Sequence, residues 1–431
     1  MARAQLLAAK RAAAETRLAE LRLPEGGGWA RRAREAALAR LRESGLPGRR
    51  DEYWRFTRPD TLIAPEAPAA AVAKVDEAPV FDALERLKIV FVDGVFDAQA
   101  SDDLSLEGVS IERLSTAAKA DLHWARDVYG VLEARGQSPV ERPLAALNTA
   151  FAEDGVLINV SHPTSKPINL IYCHESESSD AMLHHVVRLA PGAALTLLEN
   201  GPAAARFNKV LEVDLGEGAR FDHVRAQGSD RARRAVTHVF ARLAAQSRFK
   251  SFTLTVNGVL TRNECVVEFA GEGAVAHVSG ACVGDGAFHH DDTVFITHDA
   301  VGCESRQVFK KVLRDGAEGV FQGKILVRPD AQKTDGYQIS QALLLDGDSQ
   351  FFAKPELEIH ADDVICSHGS TIGAIDEEAL FYLRSRGVPR HLASDLLTLA
   401  FLAEATQEVE DARLREELTD RLDAWLARRR D

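Results

Sequence analysis

Cysteine is scarce and scattered in this chain. Its five cysteines stand at 173, 265, 282, 303 and 366 of 431 residues, and none belongs to a CxxC pair. That spacing excludes a disulfide framework and a closed four-ligand zinc site, and it points to a reducing compartment, the cytoplasm. Long apolar runs are missing too. The longest, LLTLAFLA at 396–403, is less than half of what a bilayer span requires, so no membrane is expected. Lys10, Arg11, Glu15 and Arg17 interrupt the first helix-like stretch, so a secretory signal is not expected either. Basic excess is absent: 52 Lys and Arg against 65 Asp and Glu give a net charge of −13, which disfavours nucleic acid. The local run Arg231, Arg233, Arg234 reads as a solvated face. No GxxxxGK[ST] phosphate loop and no GxSxG elbow occurs, so this chain is expected to bind no nucleotide.

What is present is the balance of a soluble globular protein, 45% hydrophobic and 27% charged, long enough for two or three domains. The first 150 residues read as mostly helical. Residues 1–23 are rich in Ala, Arg and Leu up to Pro24, and Trp29, Ala33, Ala37 and Leu41 recur at spacing four. RRDEYWRFTRPD (49–60) offers Tyr53, Trp54 and Phe56 as a docking edge that pins these helices to the body. Residues 61–80, rich in Ala and Pro, read as a surface linker.

From about residue 156 the helical period gives way to alternating segments such as VVRLAPGAALTLLEN and CVVEFAGEGAVAHV. A sandwich, a barrel and a stacked β-helix are the possible architectures. The turn glycines 192, 218 and 273 recur once per rung of roughly 26 residues, rather than once per strand, and small residues crowd the inward positions. That pattern fits a β-helix, with the helical flanks expected to cap its ends. After it, Asp376 is an N-cap candidate and Gly387 a C′ glycine. Further helices follow at about 391–409 and around Leu414, Leu418, Leu422 and Trp425. The expected division is an N-terminal helical domain with linker (1–150), a β-helix core (151–372) and a C-terminal helical domain (373–431).

Three polar groupings stand out. The stretch 303–336, with Gln307, Lys310, Lys324, Gln332, Lys333 and Asp335, reads as a solvated flank. In HHDDT (289–293), alternation sends His289 and Asp291 to one face and His290 and Asp292 to the other, leaving at most two ligands per side. CHE (173–175) and His184–His185 are weaker still. In DDVICSHGSTIG (362–373), Cys366 and His368 share a strand face with Val364, which on periodicity alone makes Cys366 an inward, inert thiol. Yet the pair sits where strand gives way to helix, and Gly369 and Gly373 leave backbone room. A thiolate and an imidazole are half a ligand set for iron or a nascent cluster, to be completed by another chain.

DDVICSHGSTIGAIDEEALFYLRSRGVP (362–389), GVFQGKILVRPDAQKTDGYQ (319–338), HHDDTVFITHDAVGCESRQ (289–307) and RRDEYWRFT (49–57) together resemble the SufD members of the SufB/SufD family. These are subunits of the SufBCD iron–sulfur cluster assembly complex. The SufB-like alternative carries a CGAH motif, a glutamate-bearing HEAT and N-terminal clustered cysteines, none of which this sequence has. It departs from the SufD pattern at Gly302, where histidine is common, which weakens a metal role for Cys303.

The resemblance implies a mainly β protein: a right-handed parallel β-helix between N-terminal and C-terminal α-helical domains. It implies a non-catalytic scaffold in the cytoplasm, pairing with SufB through its last strands, with a homodimer possible for the isolated chain. His368, with Cys366 as second candidate, would donate to a transient iron or Fe–S cluster shared with SufB. The SufC ATPase, where nucleotide hydrolysis belongs, would dock on the helix bearing Glu377, Glu378, Phe381, Tyr382, Leu383, Arg384 and Arg386. Reduced flavin is associated with such complexes. Two other readings stand beside it: a structural platform without ligand role, and, remotely, a β-helix enzyme acting on polysaccharide. The last would need an aromatic-lined groove, and only 6% of residues are aromatic.

Overall fold

The computed structural model describes residues 2–72, 80–228 and 230–427. From Val156–Val160 to Ile365–Gly373, sixteen strands alternate between two sheets, and each pairs in parallel with the strand two places on. This is a β-helix of two long faces, not a sandwich of hairpins. The register offset widens from 26 residues (Ala194 to Arg220) to 32 (Glu318 to Gln350) along the rod.

The turns explain why the glycine repeat is degenerate. Gly192, Gly218, Gln246, Gly273, Gly302 and Lys333 all have positive φ, and each donates its backbone N–H to the next rung's corner. Glycine suits this left-handed turn, but Gln246 and Lys333 also adopt it, so a count of glycines skips two rungs. Gly302 is one of these corner residues, in the left-handed conformation that glycine adopts most readily.

Inward positions are less uniformly small than the sequence suggested. Phe207, Phe221, Phe249, Phe269, Phe309 and Phe321 fill the rod beside Ala and Val, and Phe221 stacks on Phe249 at 5.7 Å. Each buried ring contributes on the order of 2 kcal/mol relative to exposure.

The helices do not cap the ends as expected; they coat the two outer faces. Ala2–Leu18, Gly28–Ser44 and Pro143–Phe151 pack against Leu157, Val186, Val210, Val236 and Leu260 of the nine-stranded sheet. Arg390–Thr406 and Ala412–Ala427 lay Leu402, Leu414, Leu418, Leu422 and Trp425 on Phe252, Leu254, Val283 and Val312 of the ten-stranded sheet. The first 150 residues are also less helical than their sequence reads. Leu87–Val92 joins the ten-stranded sheet, while Val95–Asp97 and Val109–Arg113 pair antiparallel with the first strands and close the near end. Part of the expected linker, 73–79, lies outside the described residues.

The aromatic edge does pin the N-terminal segment to the rod. Tyr53 meets Phe295 at 5.0 Å, Phe56 stacks on Phe352 at 5.2 Å, and the Arg262 guanidinium lies 4.2 Å from the Trp54 ring. Arg262 also donates to Glu264 (2.8 Å), to the Tyr53 carbonyl (2.8 Å) and to Asp291, while Arg142 donates to the other oxygen of Glu264 at 2.9 Å. Arg233 belongs to the interior too: it is buried and paired with Asp230, contrary to the solvated reading.

Burial alone would raise the Glu264 carboxyl, but the Arg262 and Arg142 guanidinium groups hold it down at about 2. A depressed carboxylate pKa stabilises the fold above its unfolded value and loses that contribution as pH falls through the folded one. Glu264→Gln is therefore expected to cost roughly 3 kcal/mol at neutral pH. The gap in melting temperature between parent and variant should close as pH falls from 4.5 toward 2. A gap independent of pH would show that the carboxylate charge does not lock the segment down.

Candidate functional site

The far end of the rod is open. Among the described residues, Ile365–Gly373 is the edge of the ten-stranded sheet and pairs only with Asp335–Leu344, and Gln350–Ile359 is the edge of the nine-stranded sheet and pairs only with Glu318–Val327. The two edges differ in chemistry. Gln350–Ile359 carries Lys354, Pro355, Glu356 and Glu358, residues that discourage strand addition. Its outer face is also covered by the N-terminal segment, where the Lys354 ammonium lies 4.0 Å from the Tyr53 ring. Ile365–Gly373, ICSHGSTIG, has no charge and no proline, and Ile365 and Ile372 are 73% and 58% exposed. Its backbone is left ready to accept another strand.

Cys366 and His368 lie in register with Gly336 and Gln338, the inward-facing positions of the preceding rung. Parity therefore points both into the rod, as alternation predicts. Their environments differ because of where the rung ends. Cys366 is half-buried with Leu357 and Val364 against Ile325, Val327, Ala331 and Ala361. Gly336 makes room for it, since a Cβ there would sit 3.3 Å from the Cys366 Sγ. Burial pushes the Cys366 thiol up, so it is protonated at neutral pH and must lose its proton to bind a metal. His368 is exposed: it has inward parity but no further rung over it. Two residues along a strand span about 6.6 Å, so both side chains can reach one small cluster.

The helix Glu377–Ser385 follows after three residues. Asp376 caps it by accepting from the N–H groups of Glu378 (2.8 Å) and Ala379 (3.1 Å), and Glu377 and Glu378 suit the positive end of the dipole. At its other end Gly387 donates to the Arg384 carbonyl and Val388 to that of Leu383, a full Schellman closure. Only Leu380 is buried. Phe381 and Tyr382 are 73% and 57% exposed, Leu383 is partly buried, and Glu377, Glu378, Arg384 and Arg386 surround them in solvent. Leu396 on the next helix is also exposed. An apolar surface with a charged rim has the make-up of a protein interface.

The other groupings resolve into structure. His290 and Asp292 point inward onto the buried Lys311 ammonium, at 2.7 and 2.6 Å, so a lysine supplies the cation there. His289 and Asp291 point outward and both bond Thr57 of the N-terminal segment. His184 and His185 are buried and bond Glu212 and Tyr172. Among the described residues no three His, Cys, Asp or Glu side chains form a metal-binding group. The polar stretch 303–336 is only partly solvated. Gln307 and Lys310 are buried, and Lys310 pairs with Glu404 beneath the C-terminal helices. Lys324, Lys333 and Asp335 pair at the surface with Glu358, Asp363 and Arg306.

A cleft of about 720 Å³ lies elsewhere, between the outer face of the ten-stranded sheet and residues 408–414. Lys250 pairs there with Glu410 and His277 lies 3.0 Å from Glu408, and the cleft does not include the open end. Sequence reasoning passed over Gln338, which is fully buried one rung inside His368. The available signal was a glutamine at the inward parity of Gly336 and Ser340.

Residues 172–401 match a family model described as "SUF system FeS cluster assembly, SufBD core domain", and residues 29–170 match one described as "SufBD protein N-terminal region". The chain is similar to the iron–sulfur cluster assembly protein SufD of Escherichia coli (strain K12), 27% identical over 407 residues, 89% of this chain and 90% of the relative. A SufBD family protein of Synechocystis is 26% identical over 407 residues, 88% of each. The SufD protein of Bacillus subtilis is 28% identical over 325 residues, 72% of each. With the core-domain match covering more than half its length, on a rod of stacked parallel strands, the chain belongs to the SufBD family of iron–sulfur cluster assembly proteins.

Proposed function

We propose that this protein is a non-catalytic scaffold subunit of a cytoplasmic SufBCD-type complex, in which SufB completes the rod at Ile365–Gly373 and SufC docks on Glu377–Ser385. The observation that carries this reading is the uncharged, unpaired edge with His368 standing exposed at its inward-facing position. A sister β-helix added there would bury Ile365 and Ile372 and bring its own side chains against Cys366 and His368. Iron or a nascent cluster is then cargo held across the seam: His368 gives an imidazole nitrogen, Cys366 a thiolate after proton loss, and SufB the remaining donors. Hydrolysis of ATP belongs to SufC, and any reduced flavin is held by the assembled complex.

Co-expression of the chain with SufB and SufC tests the ligand role. His368→Ala is expected to leave the complex assembled and to lower its cluster content, read by visible absorption and bound iron, on the order of ten-fold or more. Cys366→Ser should lower it less, because the protonated, half-buried thiol is the weaker donor at neutral pH. Full cluster assembly by the His368→Ala complex would leave a purely structural platform as the reading.

The docking surface has its own test. Joint replacement of Phe381 and Tyr382 by alanine should weaken capture of SufC by about 2 kcal/mol or more, some thirty-fold, as expected when interface anchors are truncated. Both rings are exposed, so thermal stability and SufB pairing should be unchanged. Undiminished SufC capture would place the ATPase elsewhere.

A further inference from the structure

One column of inward-facing side chains dwindles as the rod approaches its open end. Phe221, Phe249, Ala276, Ser305, Gly336 and Cys366 stand in register on successive strands of the ten-stranded sheet. Phenylalanine fills the column early, alanine and serine follow, and at Gly336 no side chain is left. Cys366 packs instead on a small core at the end of the rod, formed by Ile325, Val327, Ala331 and Ala361 and separate from the main one. A Cβ on Gly336 would lie 3.3 Å from the Cys366 Sγ, and 3.5 and 3.6 Å from two atoms of Ile325. The Ile325 distances are ordinary contacts, whereas the sulfur distance is too short for comfort. Gly336 does not have a positive φ, so its backbone does not call for glycine. The sulfur does.

We infer that Gly336 is a positioning residue for Cys366: by presenting no side chain it lets the thiol sink into the end of the rod as a withheld donor, while His368 stands exposed two residues along. The rung beneath sets the two depths. Under Cys366 it offers a glycine; under His368 it offers Gln338, a long side chain that is itself fully buried. The two residues share a strand, a parity and a motif, so the difference between them comes from the preceding rung as much as from the missing next one. A metal arriving at the seam meets the imidazole first, and the sulfur only once it has moved outward. That order of ligation rests on the proposed function; the depth of the thiol does not.

The test reads the depth of Cys366 in the full chain. Its alkylation by iodoacetamide at one fixed pH is followed by mass spectrometry of the peptide that carries it, with the fully buried Cys303 as internal control. Gly336→Ala should raise the Cys366 rate several-fold, because the new methyl displaces the sulfur toward the side that no rung covers. Gly369→Ala adds a methyl to the same edge strand, where it would meet nothing closer than Ile339 at 3.9 Å, and should leave the rate as in the parent. Stability supplies the second arm. The fall in melting temperature caused by Gly336→Ala should vanish in a Cys366→Ala background, since the remaining contacts, to Ile325, are ordinary ones. An unchanged rate in Gly336→Ala, an equal rise in Gly369→Ala, or a fall in melting temperature that persists without the sulfur would overturn the assignment. A Gly336→Ala chain that does not fold counts against it too, unless the double variant folds. Full cluster content in a Cys366→Ser complex would remove the donor role yet leave the depth of the thiol standing. A parental alkylation rate in Gly336→Ala would do the reverse.

Discussion

A rung of parallel strands buries its inner face only when another rung lies over it. Every feature of this protein that bears on function follows from that one constraint. Interior rungs satisfy it twice, with a neighbour on each side and a register continuous from Asp180 to Ile359 in one sheet. The near end satisfies it with antiparallel strands. The far end leaves it unmet, because the flanking helices are committed to the outer faces. Side chains with core parity therefore stand in solvent there, His368, Ser370 and Ile372, and His368 is the one that can donate to a metal.

The chemistry of the edge fits a shared, transient cargo better than a resident metal. A buried closed site would need four donors and a supporting shell in one chain. Here there are two, one of them a protonated thiol. On the proposed reading such a half-site would hold metal weakly until a second chain supplied more ligands, and would release it when the chains parted. The polar interior makes the same point in reverse. Where histidine and carboxylate do meet deep in the rod, at His290 and Asp292, Lys311 already occupies the centre as an internal cation.

How much of this could be read from the sequence depends on how local each determinant is. The helix Glu377–Ser385 was legible at both ends, because an Asp cap and a glycine closure are decided within a few residues. The β-helix was legible because its corner glycines mark the rung, although Gln246 and Lys333 break the series by adopting the same left-handed turn without glycine. Placement of the helices was not legible: an amphipathic stripe says that a face is buried, not what it is buried against. Gln307, Lys310 and Arg233 were misread as solvated for the same reason: what buries them is another rung or the C-terminal helices, even where, as for Arg233 and Asp230, the charged partner is three residues away. Cys366 and His368 show the limit most clearly. They share a parity and a motif, yet one is half-buried and the other exposed, and the difference is made by an absent next rung that no local pattern records.

On the proposed reading, the two interfaces are also mechanically close. Only Ala374, Ile375 and Asp376 separate the edge strand from the exposed helix. Leu380 is the one buried residue of that helix, while the following helix is fixed to the sheet by Thr398, Leu402 and Ala405. A partner bound to Phe381 and Tyr382 thus holds a lightly anchored element at the end of a three-residue lever. The edge strand at the other end of the lever is secured by one ladder of hydrogen bonds instead of two. Displacement of the docked partner would load the least supported strand of the rod before any other, and that strand carries His368. A scaffold built this way needs no catalytic group of its own to release cargo, because the weakness of its last rung is the moving part.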